Sequence, residues 1–469
     1  MDTLFGTGIQ GKSPSITAQS RVNCYYEYTP DGDKTKVAIL GTPGKELFIN
    51  MGDTPVRGVH VPQNSDYLYF VHRGTFYSVN NAGVTASLGT LNTTSGRVSI
   101  DDNGTEIQIV DGTDGWTYNM TTTAWAEVTD VDFPANSTTN CFDSGRILNS
   151  FINSGRFYGS GAYAASTYDG THFATAESQP DYLVRVFSLN GQVILFGSKT
   201  IEPWANAGLP GFPYIRVGGA NADFGLSARW SVAPFMGTLA FLAKVRGGGS
   251  VVGVLEGYAV TRISTSELDH IIDGYGDVSD ATGFSYTLGG HPMYQINFPS
   301  DNASWLYDGS TKLWSQLKSY GIDRDRGEIG VEFQGNRIVT DYENGKFYKL
   351  KSDVYADNGE ELRLEITSRH LYDEGKRQRI SSFQVDGQMG VGLVSGQGVD
   401  PQIMLQISVD GGQTFGSEVW TDLGAIGETM TRARFGRPTF PLSSRDFVFR
   451  LAITDPIKRV ITGIFINQP

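Results

Sequence analysis

The sequence of 469 residues predicts an all-β protein: a β-propeller of six or seven blades followed by a small antiparallel β-sandwich. Three observations predict it. A paired-strand unit with a central Gly or Asn turn returns at a spacing of roughly 35–55 residues, the range of four-stranded blades. Long helical periodicity is almost absent. The 58 glycines and 12% aromatic residues suit many tight turns between aromatic-rich strands. A single blade cannot bury both of its faces, so the repeats must stack around an axis.

Residues 1–54 carry no clear repeat and are expected to form an N-terminal arm that wraps the propeller or reaches a neighbouring subunit. Within it, residues 21–28 (RVNCYYEY) read as a strand, and Lys36 to Leu40 lead into the turn Thr42-Pro43-Gly44. Residues 55–355 hold the repeats. The copies run 57–79, 97–128, 185–204, 230–263, 283–317 and 327–350. Their central turns fall near Asn64, Gly104, Gly191, Gly237, Gly290 and Gly335, with a weaker copy at Gly155. Residues 264–273 (STSELDHIID) alone look helical, with Ser264 or Ser266 as cap and Leu268, Ile271 and Ile272 on one face. The polar turn Asp357-Asn358-Gly359 marks the boundary to residues 356–469. There, alternating segments at 362–368, 380–385, 403–409, 447–453 and 460–466 suggest the sandwich.

The formal net charge is −13, placed as about −12 in residues 1–359 and about −1 in residues 360–469. An acidic body argues against nonspecific adhesion to nucleic acid, which needs Lys and Arg to displace counterions. The basic clusters Lys376-Arg377-Arg379 and Arg432-Arg434-Arg437 read either as salt-bridged solvent faces or as a docking surface for an acidic partner. Cys24 and Cys141 are the only cysteines, which predicts a reduced protein made in the cytoplasm without a disulfide framework. The opening MDTLFGTGIQGKSPS lacks the pattern of a secretory signal, and no stretch approaches the ~18 apolar residues of a membrane helix, so no membrane insertion is expected. The sequons at Asn92, Asn119, Asn136 and Asn302 read as turn chemistry.

Motifs that could carry chemistry are weak. Gly6 to Gly11 spell G-x-G-x-x-G, but no strand precedes and Lys12-Ser13-Pro14 blocks a helix, so a flexible terminus is expected. Ser408 to Phe415 match the Asp-box S-x-D-x-G-x-T-[WF], whose carboxylate braces a hairpin and does not catalyse. Glycoside hydrolysis needs two carboxylates roughly 5 or 6.5–9.5 Å apart. The nearest candidates are Glu177, Asp181, Glu202 and Asp308, and each has a competing turn or strand role. The histidines His60, His72, His172, His270, His291 and His370 are scattered. Asp101-Asp102-Asn103-Gly104 and Asp111-Gly112-Thr113-Asp114-Gly115 could hold calcium but lack the EF-hand spacing and read as hairpin turns. No catalytic, cofactor or metal residue is assigned.

Ala176 to Asp181 (AESQPD), followed by Phe196-Gly197-Ser198-Lys199-Thr200-Ile201-Glu202, resembles the tail hub, or nozzle, proteins of short-tailed bacteriophages, also called packaged DNA stabilization proteins. Thr42-Pro43-Gly44, Arg57-Gly58-Val59 and the Asp-Gly hairpin at 408–415 extend the resemblance over most of the chain. The resemblance implies a virion protein with no catalytic residues and no cofactor. It implies a homohexameric ring below the portal adaptor ring, contacts with tail spikes or fibres and a plug or needle, and a lumen through which double-stranded DNA passes without specific binding. Physically, Glu177 and Glu202 are expected to accept backbone or Arg hydrogen bonds between blades, because buried carboxylates must be paired. Two readings of other classes stand beside it. One is a propeller glycosidase or sialidase, suggested by the Asp-box. The other is a carbohydrate-binding adhesin using exposed tryptophans such as Trp116 or Trp125.

Overall fold

The repeats are built on one kind of turn. At Ser144-Gly145, Asn190-Gly191, Met236-Gly237, Gly289-Gly290 and Gln334-Gly335 both central residues have positive φ. That is the mirror-image turn whose twist matches the flanking strands, and glycine at its second position removes the Cβ clash. The computed structural model describes residues 4–467 except 33, 34, 64, 177, 178, 180, 438 and 442, so the expected turn at Asn64 lies outside the described residues. Each such hairpin joins an inner strand to a central strand buried on both faces, as Asn190-Gly191 joins Leu183–Leu189 to Gln192–Gly197.

Seven antiparallel blades result, at residues 56–90, 99–127, 137–175, 183–216, 224–262, 282–316 and 327–351. Successive blades abut, and the inner strand of the last, Gly327–Phe333, abuts that of the first, Val56–His60, which closes the ring. The outer strand of the seventh blade comes from the other end of the chain. Gly44–Asn50 pairs antiparallel with Lys346–Lys351. Ile49, Val56, Leu68, Phe70 and Val79 then share a core with Phe333, Ile338 and Phe347, with the rings of Phe70 and Phe347 edge-on at 4.9 Å. In the fifth blade the inner strand is interrupted: Phe224–Leu226 and Ala233–Phe235 both pair with Thr238–Val245, leaving residues 227–232 free to enter the axis.

The sandwich is stitched from both ends of the chain. One sheet carries Ser20–Val22, Leu364–Thr367, Asp446–Ile453, Gln402–Ser408 and Val419–Asp422. The other carries Cys24–Tyr28, Val37–Gly41, Val460–Ile466, Phe383–Gly387 and Ala433–Phe435. Val22 also pairs in parallel with Gln316, so the sixth blade runs on into the first of these sheets. Within the expected N-terminal arm, residues 20–50 supply four strands, three to the sandwich sheets and one to the seventh blade. Cys24, Tyr26, Val37 and Ile39 alternate inward, and burying them against Phe383, Phe449 and Ile461 needs partners more than three hundred residues away. The glycine-rich opening is not a loose end either. Leu4 and Phe5 are buried in the sandwich core and Ile9 in the core of the fifth and sixth blades. Arg21 donates to the carbonyls of Gly6 (3.1 Å) and Gly8 (3.0 Å).

The one α-helix among the described residues, Ser266–Asp273, joins the fifth and sixth blades and buries Leu268 and Ile272. Its cap is Thr265, whose side chain accepts from the Leu268 amide at 3.3 Å. Ser264 instead accepts from the Val252 amide at 3.1 Å, which ties the loop to its own blade. No helix among the described residues is long and apolar enough to cross a membrane.

Candidate functional site

The candidate carboxylates are tied into local structure. Asp181 accepts from the amides of Lys199 (2.8 Å) and Thr200 (3.0 Å), bracing the turn that opens the Ile201–Asn206 strand. Glu202 is buried and accepts from Trp204 Nε1 at 3.2 Å along its own strand. Asp308 caps a turn, accepting from the amide of Ser310 and the hydroxyl of Thr311 at 2.8 Å each, and meets His291 Nδ1 at 2.8 Å. Glu177 lies outside the described residues. The Asp-box is a brace as well: Asp410 accepts from the amides of Gln413 (3.1 Å) and Thr414 (3.0 Å) and from the Thr414 hydroxyl (2.5 Å), while Arg450 lies over the Phe415 ring at 3.7 Å. Hydrogen bonds from Thr414 and Ser408 hold the Asp410 carboxyl well below the usual carboxylate range.

Tryptophans read from sequence as exposed are part of the core. Trp116 is buried and stacks on Trp125 at 5.4 Å and 7°, with Phe76 on the far side of Trp125. Asn119 accepts from the amides of Thr121 and Thr122, and Asn136 and Asn302 have positive φ, as turn asparagines do. Burial pushes the Cys24 thiol up to about 12 and raises Cys141 too, the condition of inert structural thiols.

The topology assembles three constellations that sequence reading did not bring together, although it had singled out Asp101 and Asp102. At the axis, Arg97 of the second blade and Arg185 of the fourth lie over the Trp230 ring, at 5.1 and 5.5 Å from its centroid. Trp230 comes from the interruption in the fifth blade, and Gly283 of the sixth donates to its carbonyl. Arg185 Nη1 donates to the Arg229 carbonyl and Arg229 Nε to that of Val184, lashing the fourth and fifth blades together. These guanidinium–indole contacts link residues that open the inner strands of the second, fourth and fifth blades. Burial, with Arg97 and Arg229 beside it, brings Arg185 down to about 10.

The second constellation joins the domains. Lys45, on the strand that closes the ring, lies 2.6 Å from Asp325 Oδ2 ahead of the seventh blade and 3.2 Å from Asp357 Oδ1 at the start of the sandwich segment; all three are buried. Burial alone would lower Lys45, but Asp325 and Asp357 outweigh it and hold its pKa well above the usual lysine value. Nearby, His291 bridges Asp308 and Glu27 (2.9 Å), so a sixth-blade residue holds a sandwich strand. The third constellation is His60 with Asp101 and Asp102, close enough to share a cation. His60 Nε2 is 2.6 Å from Asp102 Oδ2, and Asp101 already accepts from the Phe142 amide, so the group also reads as a hydrogen-bonded link between the first three blades.

A closed ring of blades stitched to a sandwich, with its described candidate carboxylates braced into turns and strands, defines a scaffold class of protein. The chain belongs to the bacteriophage P22 Gp10 family, the tail hub proteins: residues 17–355 match its beta-propeller and residues 363–468 its beta-sandwich. Among curated proteins it is similar to the tail hub protein gp10 of Salmonella phage P22, 25% identical over 173 residues, a stretch that spans 35% of this chain and 36% of that protein. Among solved structures it is similar to the WD40 β-propeller domain of Doa1 (TM-score 0.42, 12% identity, 65% of this chain and 97% of that one). It is also similar to the N-terminal domain of Nup159 (TM-score 0.42, 9% identity, 70% and 98%).

Proposed function

We propose that this chain is a structural subunit of a short-tailed phage's tail hub. In this reading it forms a homohexameric ring below the portal adaptor, extends and helps close the DNA channel, and holds spikes or fibres and a plug or needle. It retains the packaged genome and passes it at ejection, and it has no catalytic role. The observation that carries the reading is the family match across both domains.

Two physical features support it. Arg97 and Arg185 meet on Trp230 among the inner strands of one subunit's propeller, and in this reading duplex DNA runs between subunits, through the ring they form. The chain carries −13, and an acidic lumen repels phosphates instead of holding them by counterion release. In this proposal Asp, Glu, Ser, Thr and Asn line the lumen, and retention is mechanical. The strands Ser20–Val22, Cys24–Tyr28, Val37–Gly41 and Gly44–Asn50 are already paired within the chain, so in this proposal ring contacts fall to the outer faces of the blades and sandwich.

Mass measurement of the purified protein with and without the adaptor ring tests assembly. A chain that stays monomeric and never joins tail particles overturns the reading. Heads that remain full of DNA without the protein remove the retention role, and micromolar duplex binding with a steep salt slope removes the acidic-lumen account.

A further inference from the structure

On the face where the inner strands begin, a cavity of about 410 Å³ opens among the first, second, sixth and seventh blades. Arg57, Arg73, Arg97 and Arg324 line it, with Glu328 as the one acidic residue of the lining and Tyr342 as a wall. On a chain of net charge −13 this is a local inversion of sign. The arginines differ in what they have left to give. Arg57 is engaged, donating to the carbonyls of Gly96 (2.7 Å), Arg73 and Thr93 (2.8 Å each), so it contributes charge rather than free N–H groups.

Arg97 and Arg324 are held but not satisfied. Arg97 lies over the Trp230 ring at 5.1 Å from its centroid, and its Nη1 is 3.6 Å from Glu328. Arg324 is 3% exposed, lies over the Tyr342 ring at 4.1 Å and donates from Nη2 to Glu328. Arg97 Nε and Nη1 and Arg324 Nε are buried and meet no acceptor among the described residues. Buried donors without acceptors are costly, and two planar guanidinium groups fixed on aromatic faces present a preformed fork for a planar or tetrahedral oxyanion. Glu328 neutralises one of the surrounding charges and leaves the others.

We propose that this arginine-lined cavity is an oxyanion-binding site, in which a phosphate or carboxylate group accepts from Arg97 and Arg324. The group is either a free anion or an acidic side chain offered by another protein. Calorimetric titration of the full chain with inorganic phosphate, citrate and a short Glu-rich peptide tests it. Arg97→Met keeps the stem over Trp230 and is expected to weaken binding about tenfold, the loss of one charge-assisted hydrogen bond. Glu328→Gln removes the internal competitor and is expected to tighten binding by a similar factor. Tighter binding of phosphate or citrate identifies a free anion, and tighter binding of the peptide identifies a protein carboxylate. Absence of binding by all three at millimolar concentration, or equal binding by the parent and Arg97→Met, overturns the proposal. If Arg97→Met does not fold, Glu328→Gln decides alone: no gain in affinity overturns it.

Discussion

Lys45→Met is the sharpest probe of how the two domains are held together. The change keeps the length of the stem and removes the ammonium that sits 2.6 Å from Asp325 and 3.2 Å from Asp357. Asp325 keeps donors in Gln295 Nε2 (3.1 Å) and the Gly327 amide (2.7 Å). Asp357, 1% exposed, has no hydrogen-bond donor among the described residues, so the variant leaves a buried carboxylate without its ammonium partner and with only the more distant charge of Arg326. Breaking a buried pair in this way costs about 3–5 kcal/mol. The pH dependence has a definite sign. In the parent, burial works to raise the Asp325 pKa and Lys45 outweighs it, leaving it lowered. A lowered carboxylate stabilises the fold above its unfolded pKa, about 3.9, and that stability is lost as pH falls through the folded value. Without Lys45, burial governs Asp325, its pKa rises, and its contribution is lost as pH rises instead. The gap between parent and variant is therefore widest near pH 7 and narrows towards pH 4. Urea unfolding followed by tryptophan emission at several pH values measures it. A gap under about 1 kcal/mol at pH 7, or one that widens on acidification, refutes the reasoning.

Phe347→Ala opens a void where the seventh blade meets the first and is expected to cost about 3–5 kcal/mol in the same urea assay; a cost below about 1 kcal/mol denies that this cluster closes the ring. His291→Gln tests the bridge to Glu27 and Asp308. Burial disfavours the charged ring, but the hydrogen bonds to Asp308 and Glu27 outweigh it and raise the histidine pKa. The stability lost in the variant is thus fully present below about pH 6.5 and vanishes as pH rises through the raised value, which thermal melts at pH 6 and pH 8.5 will show. Asp410→Asn should leave the unfolding midpoint nearly unmoved while speeding amide exchange at Gln413 and Thr414; unchanged exchange there denies the brace.

Repeats were legible because each blade is local. The hairpins around Gly191, Gly237, Gly290 and Gly335 carry their own turn chemistry, and each pairs strands that follow one another in sequence. The non-local pairings were not legible. Nothing within residues 20–50 says that Val22 faces Glu365, that Ile39 faces Ile461 or that Ile49 faces Phe347. The axial cluster left a trace that went unread. The repeat copies open at Arg57, Arg97, Arg185, Trp230, Gly283 and Gly327, and residues that open equivalent strands lie at one level of the axis. Superposing the copies by their turns would have brought Arg97, Arg185 and Trp230 together. Lys45, Asp325 and Asp357 left no such trace, because they belong to three segments with no shared pattern.

The borrowed strand of the seventh blade has a consequence for synthesis. Gly44–Asn50 leaves the ribosome about 300 residues before its partner Lys346–Lys351. At about 5–20 residues per second, that is a wait of roughly 15–60 s. Throughout it, six blades can form in order while an unpaired β-edge and the apolar face of Ile49 stay open to any other strand that passes. The growing chain is thus a slotted ring awaiting its last stave, and nascent neighbours on one message carry the same loose strand. Exchange of that strand between two such chains would produce a linked pair, so the yield of correctly closed monomers should fall with crowding of nascent chains before it falls with temperature.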